Sequence, residues 1–108
     1  MTTPLSLVPG RCADGRPRLT AAGEIDMSNI GALAQALDDT PGPLVLDLTE
    51  VEYLDSAGLS VLFAHADRLE LIASPLLTPV LTISGLADLA TVHATGDPDT
   101  PGGPPGRQ

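Results

Sequence analysis

Ser56, between Asp55 and Ala57-Gly58-Leu59, is the residue best placed to do chemistry in this chain. Asp55 is a good N-cap, so Ser56 falls in the first turn of a helix. Backbone N–H groups lack partners there and the helix dipole favours negative charge. A hydroxyl in that position is suited to carry a phosphate. Hydrolysis is a poorer fit. His65 is nine residues further along the same helix, which is about 13 Å at 1.5 Å per residue. A general base must come within about 3 Å. No Gly-x-Ser-x-Gly elbow surrounds Ser56. Cys12, His65 and His93 lack metal-ligand spacing, and no glycine loop is present to cradle nucleotide phosphates. The chain is therefore expected to be a non-enzyme that holds no cofactor and no metal.

The elements that must position Ser56 are legible on both sides of it. Leu44 to Leu48 is apolar on both parities except at Asp47, which predicts a strand covered on both faces, then a short loop. Beyond the loop, Leu59, Leu62, Phe63 and Ala66 make one apolar helical face. Upstream, Leu5 to Val8 predicts a short first strand. Asp14-Gly15 predicts a turn, and Arg18 to Ala22 a second strand that Pro17 weakens or confines to an edge. Ile30, Leu33, Ala34 and Leu37 recur at helical spacing, with Ser28 or Asp26 as cap, and the helix closes before Pro41-Gly42-Pro43. Strand, helix and strand in succession imply a right-handed parallel crossover. Leu69 to Ala73 is the next strand. Pro79 favours a third helix that starts with Thr78 as cap and Pro79 first, and ends at Gly85. Leu86 to Val92 closes the unit.

Several side chains have structural roles beside any functional one. Asp47 either terminates its strand by bonding loop amides or contacts a partner. Asp55 is a cap, Gly58 permits close packing, and His65 is a boundary histidine. Tyr53 and Phe63, the only aromatics, are core or loop anchors.

Composition bounds the partners. The 108 residues make one domain, and a formal charge of -9 repels nucleic acid and anionic membranes. A partner should be neutral or basic at the contact, and the charge with few aromatics favours a monomer. A single cysteine, Cys12, forms no internal disulfide, and Met1-Thr-Thr-Pro lacks the pattern of a secretory signal, so a cytoplasmic setting is expected. Leu71 to Ala87 is uncharged, but Pro75, Pro79, Gly85 and four hydroxyl residues argue against a membrane span. Eight of the thirteen residues 96–108 are Pro or Gly, so the expected division is a folded domain over 1–95 and a disordered tail over 96–108.

Four motifs in order resemble the sulfate transporter and anti-sigma factor antagonist (STAS) domain family. They are Gly23-Glu24-Ile25-Asp26, Leu46-Asp47-Leu48, Asp55-Ser56-Ala57-Gly58-Leu59 and Ser84-Gly85-Leu86. The resemblance spans roughly residues 5–93 and implies an α/β fold, a small mixed β-sheet of about four strands with helices packed mainly on one face. The interval from Asp55 to Ser74-Pro75 is shorter than is usual in the family by about two helical turns. A helix from Ser56 to Ala66 with a tight turn at Asp67-Arg68 still completes the crossover, while covering less of the sheet.

The resemblance also implies a function. In bacterial members the serine of the Asp-Ser motif, here Ser56, is phosphorylated by an anti-sigma factor that is itself a serine kinase. Asp26 matches the acidic residue at the kinase contact. Asp26, Asp55, Ser56, Gly58 and Leu59 are thus the implied partner-binding set. Unphosphorylated antagonist captures the anti-sigma factor and frees the sigma factor, phosphorylation ends capture, and a PP2C-type phosphatase restores it. Acidic neighbours Asp55, Asp26 and Asp47 would add to the charge of the phosphate, so the implied switch is local electrostatics with little backbone change. The alternative is a non-phosphorylated STAS scaffolding subunit of a lipid-transport or stress-signalling complex.

Overall fold

Alternation of buried and half-buried residues carries strand β2 from Pro17 to Ile25, with Leu19, Ala21, Gly23 and Ile25 on the buried side. The computed structural model describes residues 4–94. The expected disordered tail over 96–108 lies outside the described residues. Before β2 comes β1 (Ser6–Arg11), and after it α1 (Ile30–Asp38), β3 (Leu44–Leu54), α2 (Ser56–Ala64), β4 (Leu69–Ala73), α3 (Thr78–Ile83) and β5 (Thr91–Ala94). Single 3₁₀ turns at Ala66–Arg68 and Leu86–Asp88 precede β4 and β5.

The sheet order is β1-β2-β3-β4-β5, with β1 antiparallel to β2 and every later pair parallel. Three right-handed crossovers stepping in one direction put α1, α2 and α3 on the same face. One core lies between, built on Ile25, Leu33, Leu37, Leu46, Leu48, Leu62, Leu71, Leu81 and Leu86, all fully buried. This is the mixed sheet with one helical face expected from the sequence. It has five strands rather than about four, because the closing segment divides into the turn at Leu86–Asp88 and β5.

Four local expectations are corrected. Pro17 does not confine β2 to an edge: it is the first residue of the strand, where a missing N–H costs little, and β2 lies between β1 and β3. No loop separates the central strand from the helix, since β3 continues to Leu54 and only Asp55 intervenes. From Thr49 to Leu54 only Val51 and Leu54 are buried, the spacing of three reflecting the register shifts of β3 against β2. Tyr53 and Phe63 are not core anchors, being 50% and 36% exposed. Helical winding before α3 begins at Ser74, whose carbonyl accepts from the N–H groups of Leu77 and Thr78 and from the Thr78 hydroxyl. Thr78 therefore bonds backwards instead of capping the helix.

The crossover through the short α2 is secured by Arg68. Its guanidinium donates to the carbonyls of Thr40 at 2.7 Å, Gly42 at 2.8 Å and Leu37. These are the last turn of α1 and the loop to β3, so one side chain satisfies a helix C-terminus and fixes the next connection.

The sheet face away from the helices is laced by charge. Asp47, buried in mid-strand, pairs with Arg18 and accepts from the Thr49 amide and hydroxyl. It is neither a strand terminator nor a neighbour of Ser56, lying seven residues, or roughly 20 Å, before the end of β3 at Leu54. Burial pushes the Asp47 carboxyl up, but the Thr49 bonds and Arg18 outweigh that and hold it below its ordinary 3.8. Glu70, bonded by Arg16 and His93, is likewise held below its ordinary 4.5. Both folded-state values are depressed, so the unfolded chain binds more protons in acid. The stability these groups confer is complete above the ordinary values and lost as pH falls through the folded ones. Urea midpoints are expected to hold steady from about pH 7 to 5 and to fall below about pH 4.5, with a shallower acid limb in Asp47→Asn.

Candidate functional site

Two irregularities in the β2–β3 register, between Thr20 and Ala22 and between Gly23 and Glu24, lead into the end of the sheet where Ser56 sits. Gly23 takes φ +97° at the second of them, a backbone conformation that a side chain would strain. Ile25 then pairs with Leu54, and the Asp55 amide donates to the Ile25 carbonyl at 3.1 Å. The loop after β2 and the start of α2 are thereby neighbours.

Asp55 joins them a second time. One carboxylate oxygen accepts the Gly58 amide at 3.0 Å, capping α2, and the other accepts the Met27 amide at 3.1 Å. The cap expected from the sequence is thus also a clamp on the 26–29 loop. Within that loop Asp26 accepts the Ser28 amide and hydroxyl, and Asn29 accepts the Asp26 amide at 3.0 Å while donating to the Glu24 carbonyl at 2.8 Å. Neither Asp26 nor Ser28 caps α1 by its side chain. Asn29 occupies the cap position and spends its amide on the preceding loop. Asp-x-Ser-Asn, with three residues that favour side-chain to backbone turns, was a readable signal of this arrangement.

Gly58 seats the helix. It is buried, and a Cβ there would stand 2.5 Å from Leu54 Cδ1 and 2.8 Å from Ile25 Cγ2. Its place in the site is beneath the surface, where it lets α2 approach the sheet. Gly58→Ala is expected to cost about 1–3 kcal/mol by overpacking, read as a lowered urea midpoint with unchanged slope. Leu59 is half-buried, packs against the core and donates its amide to the Asp55 carbonyl.

Ser56 is exposed, and its carbonyl accepts the Ser60 hydroxyl at 3.0 Å. His65 turns away from it: Nδ1 lies 2.9 Å from the Val61 carbonyl and Nε2 3.4 Å from Asp38. Among the described residues no three His, Cys, Asp or Glu side chains converge as a metal site. None of the described helices is long and apolar enough to cross a membrane, and 71–87 divides between β4, a turn and α3.

Charge is distributed unevenly along the strand direction. The chain has no lysine. Arg16 and Arg18 stand at the start of β2, Arg68 just before β4, and Arg11 at the end of antiparallel β1. All four belong to the end of the sheet opposite Ser56. Glu24, Asp26, Glu52 and Asp55 occupy the Ser56 end, which has no cation among the described residues. Met27, 77% exposed on the clamped loop, adds an apolar side chain to this acidic rim.

The family model described as "Mlab, STAS domain" matches residues 11–91. The anti-sigma-F factor antagonist RsfB of Mycobacterium tuberculosis (strain ATCC 25618 / H37Rv) is 40% identical over 55 residues, covering 47% of this chain and 45% of RsfB. The match thus spans less than half the length of that relative. The crystal structure of an anti-sigma factor antagonist from Mycobacterium paratuberculosis superposes with a TM-score of 0.74 at 29% identity, covering 91% of this chain and 94% of that one. An uncharacterized DUF3478-family protein with a SpoIIAA-like fold from Shewanella loihica superposes with a TM-score of 0.56 at 14% identity, over 91% and 90% of the two chains, and shares the fold.

Proposed function

Because the chain belongs to the STAS domain family, matched over residues 11–91, we propose that it is a non-enzymatic anti-sigma factor antagonist switched at Ser56. Unmodified, it binds an anti-sigma factor serine kinase through Asp26, Asp55, Ser56, Leu59 and the exposed Met27 beside them, and so frees a sigma factor. The observation that carries this reading is an exposed serine at the first turn of a helix whose cap, Asp55, also fixes the neighbouring loop. The names of the M. tuberculosis and M. paratuberculosis relatives support it.

In the switching step the Ser56 hydroxyl oxygen attacks the γ-phosphorus of ATP. The bond from that phosphorus to the bridging oxygen breaks, ADP leaves, and a base of the kinase takes the hydroxyl proton. The product carries about -1.5 to -2 charges at neutral pH. Asp55 engages the Gly58 amide and leaves those of Ser56 and Ala57 for the phosphate oxygens, so the helix tolerates the group. Any packed partner must then desolvate a dianion on a rim that is already acidic, and it dissociates. A PP2C-type phosphatase resets the cycle by hydrolysis.

One observation favours a second reading, a scaffolding subunit without phosphorylation: the matched family model carries the description "Mlab". Pull-down from lysate of the source cells with the unmodified protein and with Ser56→Asp separates the two. Recovery of a small ATP-binding kinase by the unmodified form alone is expected. Recovery of transporter or scaffold subunits by both forms would replace the switch with the scaffold.

A further inference from the structure

The contact proposed at Ser56 depends on where Asp26 is held, and a side chain outside that contact governs it. Asn29 is half-buried just ahead of α1. Its side-chain oxygen accepts the Asp26 amide at 3.0 Å, and its side-chain nitrogen donates to the Glu24 carbonyl at 2.8 Å. These bonds bracket Asp26, one on its own backbone and one where β2 runs out after its second register irregularity. The Asp26 carbonyl in turn accepts the amides of Asn29 and Ile30 at 3.0 Å each, so its backbone is held at both N–H and C=O. One carboxylate oxygen of Asp26 takes the Ser28 amide and hydroxyl. The other has no hydrogen-bond partner among the described residues and is open to a donor from outside.

No side chain caps α1. An asparagine at that position can accept an amide from the first turn of its helix, and this one reaches back into the loop instead. Helix stability yields to loop geometry, a departure from local rules of the kind found beside functional surfaces. We propose that Asn29 is the positioning residue for partner capture, fixing the backbone from which Asp26 offers its open oxygen to a basic group of the anti-sigma factor kinase. This rests on the function proposed above and says how that surface is prepared. Both polar atoms of Asn29 are engaged within the chain, so it acts through Asp26 rather than by touching the partner. Met27 is held separately, by the bond from its amide to Asp55 at 3.1 Å. A carboxylate already in place loses little freedom on binding, whereas a loose one must be ordered at a cost in affinity. Asn29→Ala should therefore weaken capture about 3- to 10-fold, and only while Asp26 is present.

Two measurements test this. In the free protein, hydrogen exchange followed by NMR should show the Asp26 amide roughly tenfold less protected in Asn29→Ala than in the parent. Equal protection would overturn the proposal whatever the partner proves to be. Titration calorimetry with the purified kinase, at a temperature where every form is folded, then compares the parent, Asn29→Ala, Asp26→Ala and the double variant. Adding Asn29→Ala to Asp26→Ala should change affinity by less than about 2-fold. Parental affinity in Asn29→Ala, or an equal loss in both backgrounds, would overturn positioning, since a direct contact or a general loss of structure is additive. Failure of the parent itself to bind the kinase would overturn the function proposed for this surface and this role of Asn29 with it, and the exchange result tells the two failures apart.

Discussion

Ser56→Asp is expected to weaken capture of the partner kinase on the order of 10- to 100-fold, or about 1.4–2.7 kcal/mol. Its melting temperature should stay within about 2 °C of the parent. The two halves of that expectation have separate physical sources. Ser56 is exposed and its side chain supports no packing, so a carboxylate fits and the helix N-terminus accommodates its charge. The surrounding surface holds Glu24, Asp26, Glu52 and Asp55 with no cation among the described residues, so each added negative charge is uncompensated until the partner supplies one. An aspartate brings one charge and two oxygens, fewer than a phosphate, and genuine phosphoserine should weaken capture further. Ser56→Ala should retain capture and lose the switch. Isothermal titration of the purified kinase into the three forms reads this directly. Equal affinity of all three would remove Ser56 from the contact.

Arg68→Ala should cost about 3 kcal/mol, against the roughly 5–15 kcal/mol that stabilises a domain this size. The guanidinium serves three carbonyls, those of Leu37, Thr40 and Gly42, and Leu37 is fully buried. Truncation leaves these acceptors to whatever water reaches them and frees the link from α1 to β3. A lysine keeps the charge but not the planar fork that reaches three acceptors at once, so Arg68→Lys should recover less than half of the loss. Urea unfolding with the slope held in common checks both variants. A loss under about 1 kcal/mol would mean that solvent satisfies those carbonyls equally well.

Much of this was visible in the sequence, and the reasons differ from element to element. Asp55 as cap and the helix start at Ser56 were legible because capping is a local rule that side-chain chemistry dictates. The parallel crossovers followed from the order of strands and helices. The length of β3 was missed because its apolar first half resembles a doubly covered strand, whereas its second half, Thr49 to Leu54, buries only Val51 and Leu54, three apart, and the register shifts against β2 break the period of two there. Asp47 was misplaced for the same reason: a strand taken to end near Leu48 makes it terminal, whereas a strand running to Leu54 makes it central and in need of Arg18. Tyr53 and Phe63 were read as core or loop anchors by type alone; the leucines fill the core and leave the two rings partly exposed. The second duty of Asp55, holding the Met27 amide, joins residues 28 positions apart, and no local pattern encodes such a bond. Arg68 was read only as part of a turn, because its acceptors are backbone carbonyls at the end of α1 and in the loop that follows it.

Phosphorylation itself is the most direct test of the central claim. The kinase recovered by the unmodified protein is incubated with ATP and the full chain, and intact mass is measured for the parent and for Ser56→Ala. The account predicts one added phosphoryl group on the parent and none on Ser56→Ala. A phosphoryl group that survives the substitution would place the switch at another residue and contradict the account.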